Sequence, residues 1–154
     1  MARMIDIGDK PAVERMAVAE GLVRLKPETL DAIRKGAVKK GDVLGAAQLA
    51  GIQAAKRTAE LIPLCHPVPL TSLAVELLVT EDCVRARCEA RARWGTGVEM
   101  EALCGVSGAL LCVWDMVKYL EKDTTGNYPS TAIEGIRVVQ KVKGSIAKSA
   151  GNRR

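Results

Sequence analysis

Asp115, Lys118 and Lys122 stand at i, i+3 and i+7 in a stretch of helix-forming residues, so all three project from one helix face. The plainer reading of such a stripe is a solvated run of ion pairs. Against it, Val113, Trp114, Met116 and Val117 crowd around Asp115, which predicts a helix buried most of the way round. Partial desolvation would move a lysine pKa down toward neutrality and make Asp115 with Lys118 an acid/base pair. Glu101 lies about four turns earlier on the same predicted face, with Gly105 and Gly108 between them. Each glycine costs a helix about 1 kcal/mol relative to alanine, so a close approach is expected there, either of a ligand or of another helix.

Other candidates are read against plainer alternatives. His66, the only histidine, sits beside Cys65 in Pro63–Pro69, where three prolines in seven residues fix φ and remove donors. It would serve as a proton carrier, as a donor to an anion, or simply as a structural residue. A metal site is not expected, because no second histidine exists and the cysteines lack ligand spacing. Cys65 next to His66 does not make a catalytic dyad, since the fold and not the chain orients nucleophile and base. Lys39 and Lys40 precede a helix start, where free N–H groups favour an anion. Arg85, Arg87, Arg91 and Arg93 share one strand face, and the wet side of a half-buried sheet paired with acids is preferred there over a phosphate site.

These residues need elements to hold them. Alternation predicts a strand over 13–20, with Val13, Arg15, Ala17 and Ala19 on one face. Pro27 opens and Gly36 closes a short helix. Asp42 caps a long helix running to about Ile62, stopped by Pro63. After the stiff proline loop, Leu73 to Val79 and Val84 to Trp94 alternate about a turn at Glu81–Asp82, an antiparallel hairpin with one buried face. Thr96–Glu99 reads as a capping box for a second long helix ending near Lys122. Thr124–Ser130 is a loop, Ala132–Val142 a last strand, and the basic residues from about 143 to 154 a mobile tail. The expected fold is α+β and ferredoxin-like, a mostly antiparallel sheet with two long helices on one face, in a single domain over 1–154.

Composition narrows the functional classes. At 154 residues the chain suits one domain, and 48% hydrophobic with 27% charged residues is an ordinary globular balance. No uninterrupted apolar run nears 18 residues and none opens the chain, so a soluble, cytoplasmic protein without membrane contact is expected. The five scattered cysteines read as reduced thiols. A net charge of +5 favours a polyanionic ligand. Phenylalanine is absent and aromatics are 3%, which leaves few base-stacking platforms for nucleic acid.

Taken together, Lys40–Val43, Ala50–Thr58, Leu61–Pro67, Thr96–Leu103 and Trp114–Lys118, with the opening Met4–Ile7, strongly resemble one family over almost the whole chain to about Val142. It is the family of cyclic pyranopterin monophosphate synthases, molybdenum cofactor biosynthesis protein C. Two departures are visible: a longer loop over Thr124–Ser130, and Lys141–Ser145 in place of a glycine-rich tail. The resemblance implies a ferredoxin-like enzyme that rearranges a cyclised dihydro-GTP into cyclic pyranopterin monophosphate and releases pyrophosphate, without a cofactor. It implies Lys118 and Lys40 as proton-transfer lysines and Asp115 as their acidic partner. Leu64, Cys65, His66, Met100 and Glu101 would line the substrate pocket, with Lys56 and Glu99, which lie in the same matching blocks, also binding substrate. It further implies a homohexamer built from dimers, with sites at the subunit interface. The rival reading is a basic, RNA-binding ferredoxin-like module, suggested by the charge and the arginine strand.

Overall fold

Residues 1–145 are described by the structure, a computed structural model. In chain order they form β1 (Val13–Arg24), α1 (Pro27–Arg34), α2 (Val43–Lys56), α3 (Thr58–Leu61), β2 (Leu70–Val79), β3 (Cys83–Trp94), α4 (Glu99–Glu121) and β4 (Ala132–Lys143). The strands make one sheet of order β2-β3-β1-β4, antiparallel throughout. β3 is inserted between β1 and β2, the split β-α-β arrangement of a ferredoxin-like fold.

Alternation in β3 sends Val84, Ala86, Cys88, Ala90 and Ala92 inward, each at most 1% exposed, and the arginines outward. Ala17, Ala19 and Val23 of β1 and Val75 of β2 complete that inner face. With so many alanines and no phenylalanine, the sheet offers a shallow surface, and α4 lies across β1 and β3 with α2 beside it.

The two long helices touch closely. A Cβ built at Gly108 would stand 2.5 Å from Ala54 Cβ and 3.1 Å from the Ala50 carbonyl oxygen, and one at Gly105 would stand 2.5 Å from Cys88 Sγ. The α4 glycines therefore admit α2 and the sheet, not a ligand. Gly108→Ala raises helix propensity by about 1 kcal/mol but drives a methyl into Ala54 Cβ and the Ala50 carbonyl of α2, and such overpacking costs about 1–3 kcal/mol. The expected net result is a destabilised protein, read as a lower urea midpoint at an unchanged m-value.

Three expectations are corrected. The long helix after Asp42 does not reach Ile62: it ends at Lys56, and α3 follows after Arg57 leaves helical geometry at φ −111°, ψ 20°. Thr58 Oγ1 donates to the Ala55 carbonyl at 2.9 Å, a side chain engaging the carbonyl that closes the preceding turn. The capping box does not form either. Val98 occupies the cap position with no side-chain cap, and Glu99 turns to Lys141. Lys143 belongs to β4, and Gly144 N–H bonds the Glu14 carbonyl at 2.9 Å, so the expected tail does not begin at 143; its residues 146–154 lie outside the described residues.

α4 has the length and apolarity of a membrane span, with a mean hydropathy of 1.5 over 18 residues, but more than half of that window is buried inside the fold. It is the central core helix, and it carries a cluster of candidate site residues at each end.

Candidate functional site

The C-terminal half of α4 holds the first group. Asp115 Oδ1 accepts from Lys118 Nζ at 2.8 Å, an i, i+3 contact, and Oδ2 accepts from Lys40 Nζ at 2.7 Å. Lys40 also reaches the Asp115 carbonyl oxygen at 3.1 Å. Lys40 sits in the turn before α2, whose start is capped by Asp42 accepting from Gly45 N–H at 3.0 Å. That carboxylate occupies the helix end where an anion was expected, and Lys40 is directed to Asp115 instead. Lys39 N–H donates to Tyr119 Oη at 2.8 Å, which fixes the turn against α4.

Desolvation does not set the chemistry of this group. The Asp115 side chain is 55% exposed and that of Lys118 44%. The expectation of a lysine lowered toward neutrality is corrected: its hydrogen bond to Asp115, reinforced by the carboxylate charge, raises Lys118 above the ordinary lysine value. Lys118 and Lys40 together hold Asp115 down at about 2. At neutral pH the resting group is an ionised carboxylate beside a Lys118 ammonium. Lys122 does not join it, because it follows the helix in extended conformation.

The sign of the linkage follows. Asp115 is depressed from 3.8 to about 2, so its contribution to stability is present above pH 3.8 and is lost as pH falls through about 2. Acid unfolding of Asp115→Asn, followed by circular dichroism, should therefore show a shallower loss of stability between pH 4 and pH 2 than that of the parent chain.

The N-terminal end of α4 holds the second group. Leu64, Cys65 and His66 from the proline loop, Glu99, Met100 and Glu101 from the first turn of α4, and Arg3, Ile5, Ile7 and Lys10 from the N-terminal segment enclose a cleft of about 400 Å³. His66 Nε2 lies 2.7 Å from the Ile5 carbonyl oxygen, which can only accept, so that nitrogen carries a proton and donates it. This bond ties the N-terminal segment to the cleft.

The two carboxylates of that first turn are pushed apart. Burial raises Glu101, which is 4% exposed, and only its own backbone N–H opposes the rise. Burial also acts upward on Glu99, but the Lys141 ammonium at 2.5 Å overrides it and holds Glu99 below the usual carboxylate range. Glu101 is thus suited to give a proton or a hydrogen bond, and Glu99 to remain charged. Burial, with Glu101 and Cys104 adding to it, pushes the Cys65 thiol up, which disfavours a thiolate nucleophile. Lys56 lies outside this cleft, in a smaller recess that shares Glu101 and Val68 with it.

The predicted residues therefore fall into two clusters, not one. Glu101 and Asp115 are separated by about 21 Å of helix at 1.5 Å per residue, and they differ in environment, one buried and one exposed. The expected shared face is corrected to two ends of one helix.

The arginine face meets its plainer reading. Arg91 pairs with Glu89 at 2.7 Å, Arg87 with Glu20 at 3.7 Å and Arg93 with Glu14 at 3.9 Å, across a sheet face whose cavity of about 640 Å³ contains no predicted site residue. Among the described residues, no three His, Cys, Asp or Glu side chains converge as metal ligands. Residue reading alone missed the cationic wall adjoining the cleft, formed by Lys10, Arg15, Lys141 and Lys143 around Glu99. Arg15 is 8% exposed, and its Nε donates to the Trp94 carbonyl at 3.3 Å. A lone arginine inside an apolar strand was the available signal.

Comparison with known proteins gives a consistent result. Residues 4–144 match the MoaC family. A probable cyclic pyranopterin monophosphate synthase of Thermococcus kodakarensis is 58% identical over 92% of this chain and 91% of its own. One of Archaeoglobus fulgidus is 54% identical over 92% and 91%. A protein of Methanothermobacter thermautotrophicus named a probable cyclic pyranopterin monophosphate synthase accessory protein is 54% identical over 92% and 89%.

Proposed function

The chain belongs to the MoaC family, and from that premise we propose that it forms cyclic pyranopterin monophosphate in molybdenum cofactor biosynthesis, from a cyclised dihydro-GTP and with release of pyrophosphate. The observation that carries the reading is the Lys40–Asp115–Lys118 group, two ammonium donors on one ionised carboxylate.

The rearrangement opens and recloses a ring and then closes a cyclic phosphate. Ring opening needs a proton delivered to a departing nitrogen, and the Lys118 ammonium is the donor. Having given its proton, the neutral amine beside Asp115 becomes the base for the following step. In the last step a sugar hydroxyl attacks the α-phosphorus, its proton goes to a basic group, and the bond to the bridging oxygen of the β-phosphate breaks to release pyrophosphate. Cations stabilise the charge developing on the leaving group, and Lys40, Lys56 and the wall of Lys10, Arg15, Lys141 and Lys143 supply them. Glu101, His66, Cys65, Leu64 and Met100 hold the heterocycle, with Glu99 charged beside Lys141.

The 21 Å between cleft and lysine group supports a site made by two copies, the cleft of one facing the lysine group of another, within a hexamer built as a trimer of dimers. The enzyme works in the cytoplasm as a single catalytic domain, on a small nucleotide and not on RNA. Three of the four arginines that would contact RNA phosphates, Arg87, Arg91 and Arg93, are already opposite acids.

The test is an assay of purified protein with the cyclised dihydro-GTP, following pyrophosphate and the fluorescent pterin obtained on oxidation. Equimolar release of both supports the reading, and binding without turnover overturns it. The two-copy arrangement predicts complementation. Co-expressed Lys118→Ala and Glu101→Ala chains, each inactive alone, should regain turnover in mixed oligomers, and a site within one chain would not.

A further inference from the structure

The chain has four aromatic residues, Trp94, Trp114, Tyr119 and Tyr128; Trp114 and Tyr119 adjoin Asp115 and Lys118 along α4, and Tyr128 packs on Trp114. Tyr119 fixes the Lys39–Lys40 turn, as described above. Trp114 precedes Asp115 and lies one turn before Lys118, on the same helix face at i, i+4. Against Trp114 packs the ring of Tyr128, with centroids 5.5 Å apart and planes at 58°. Tyr128 comes from the loop after α4, whose length was one of the departures noted in the sequence.

That loop is built to deliver it. Asp123 Oδ1 accepts from Thr125 N–H at 2.8 Å, Thr125 Oγ1 at 2.6 Å and Asn127 N–H at 3.0 Å. Asp123 N–H donates to the Asn127 carbonyl at 2.9 Å, and Gly126 takes φ +84°, a conformation open to glycine at little cost. The closed turn sends the chain back along α4, and Tyr128 arrives two turns before the helix end.

Lys118 needs such a neighbour. An exposed i, i+3 ion pair is a weak restraint on a long, flexible side chain, and Lys40 competes for the same carboxylate. We propose that Tyr128, seated on Trp114, is a positioning residue that walls one side of Lys118 and keeps its Nζ on Asp115. The inference rests on the proposed role of Lys118 in proton transfer, and the experiment separates the two.

In a Trp94→Phe background, where Trp114 is the sole tryptophan, Tyr128→Ala and Tyr128→Phe are compared with the parent. Tyr128→Ala should lower kcat on the order of 10-fold at nearly unchanged KM, with Tm retained, and Tyr128→Phe should restore kcat because the ring does the confining. Lysines are also reductively methylated with 13C, and the Lys118 resonance is identified as the one absent from Lys118→Arg. It should move to the position of freely mobile lysines in Tyr128→Ala alone. An unmoved resonance, or an unchanged kcat while Trp114 emission reports loss of the ring contact, overturns the proposal. A raised KM at constant kcat also overturns it, in favour of substrate contact. Should the parent itself fail to turn over, the functional reading falls while the resonance still decides the positioning role.

Discussion

Lys118→Ala should lower turnover of the cyclised nucleotide about 1,000-fold, within the range that a positioned general acid/base contributes, and leave the fold intact. Lys118 is half exposed and makes one ion pair on its own helix, so its removal takes little from the core. Its proposed work is to hold and release one proton beside Asp115. Lys118→Arg separates that role from charge alone. Arginine would keep the pair with Asp115 and the local positive charge, but a guanidinium does not give up its proton at accessible pH. Proton transfer predicts an arginine variant nearly as inactive as alanine, whereas a purely electrostatic role predicts substantial activity. Pyrophosphate release under single-turnover conditions measures both, and substantial activity in Lys118→Arg would remove Lys118 as the proton donor. The raised Lys118 pKa gives a second handle, because the ammonium persists across neutral pH and the acid form is in place before substrate arrives.

The elements were largely legible from residue order because each rests on local chemistry. The alternation in β3 and the cap at Asp42 are decided within a few residues, and the structure has them where they were expected, whereas the helix opened by Asp42 ends at Lys56, short of the proline stop. The site was harder to read. Residue types found both groups, but helical periodicity placed Glu101 and Asp115 on one face when burial separates them. Periodicity reports direction around the axis and not what else reaches each end. The approach of Lys40 to Asp115 is a contact across 75 residues, and only the family resemblance, not periodicity or spacing, paired the two. The pKa of Lys118 was misjudged for the same reason. Apolar neighbours in sequence suggested desolvation, but Val113, Met116 and Val117 turn to the core and leave Asp115 and Lys118 facing out. Glu121 passed unnoticed because a glutamate at a helix end reads as a solvated residue.

Glu121 carries the other large expected effect, and it acts on stability. It is fully buried at the last residue of α4, and its carboxylate is met entirely by donors. Lys26 N–H lies 3.2 Å from both oxygens, Thr131 Oγ1 donates at 2.7 Å, and Thr29 Oγ1 donates to Oε2. One side chain thus joins the β1–α1 connection, the first turn of α1 and the residue before β4 to the end of the core helix. Removing it strands these donors in a site without water access, and charged hydrogen bonds are worth about 1.5–3 kcal/mol each. Allowing for relaxation, Glu121→Ala should cost about 3–5 kcal/mol, a large share of a small domain's stability. Glu121→Gln keeps the shape, and the hydroxyls of Thr29 and Thr131 can reverse to accept from the new amide, but one contact with Lys26 N–H becomes donor against donor. Its cost should be about 1–2 kcal/mol. Urea unfolding of the three proteins tests the order: equal loss in both variants would show that the carboxylate and not the side-chain volume is what matters, and no loss in Glu121→Gln would show the reverse. Because Glu121 lies one turn beyond Lys118 and starts the loop that brings Tyr128 back, turnover per folded molecule should survive in Glu121→Gln. The anchor then holds the helix end in place, while the proton chemistry proposed for Lys118, Asp115 and Lys40 is left undisturbed.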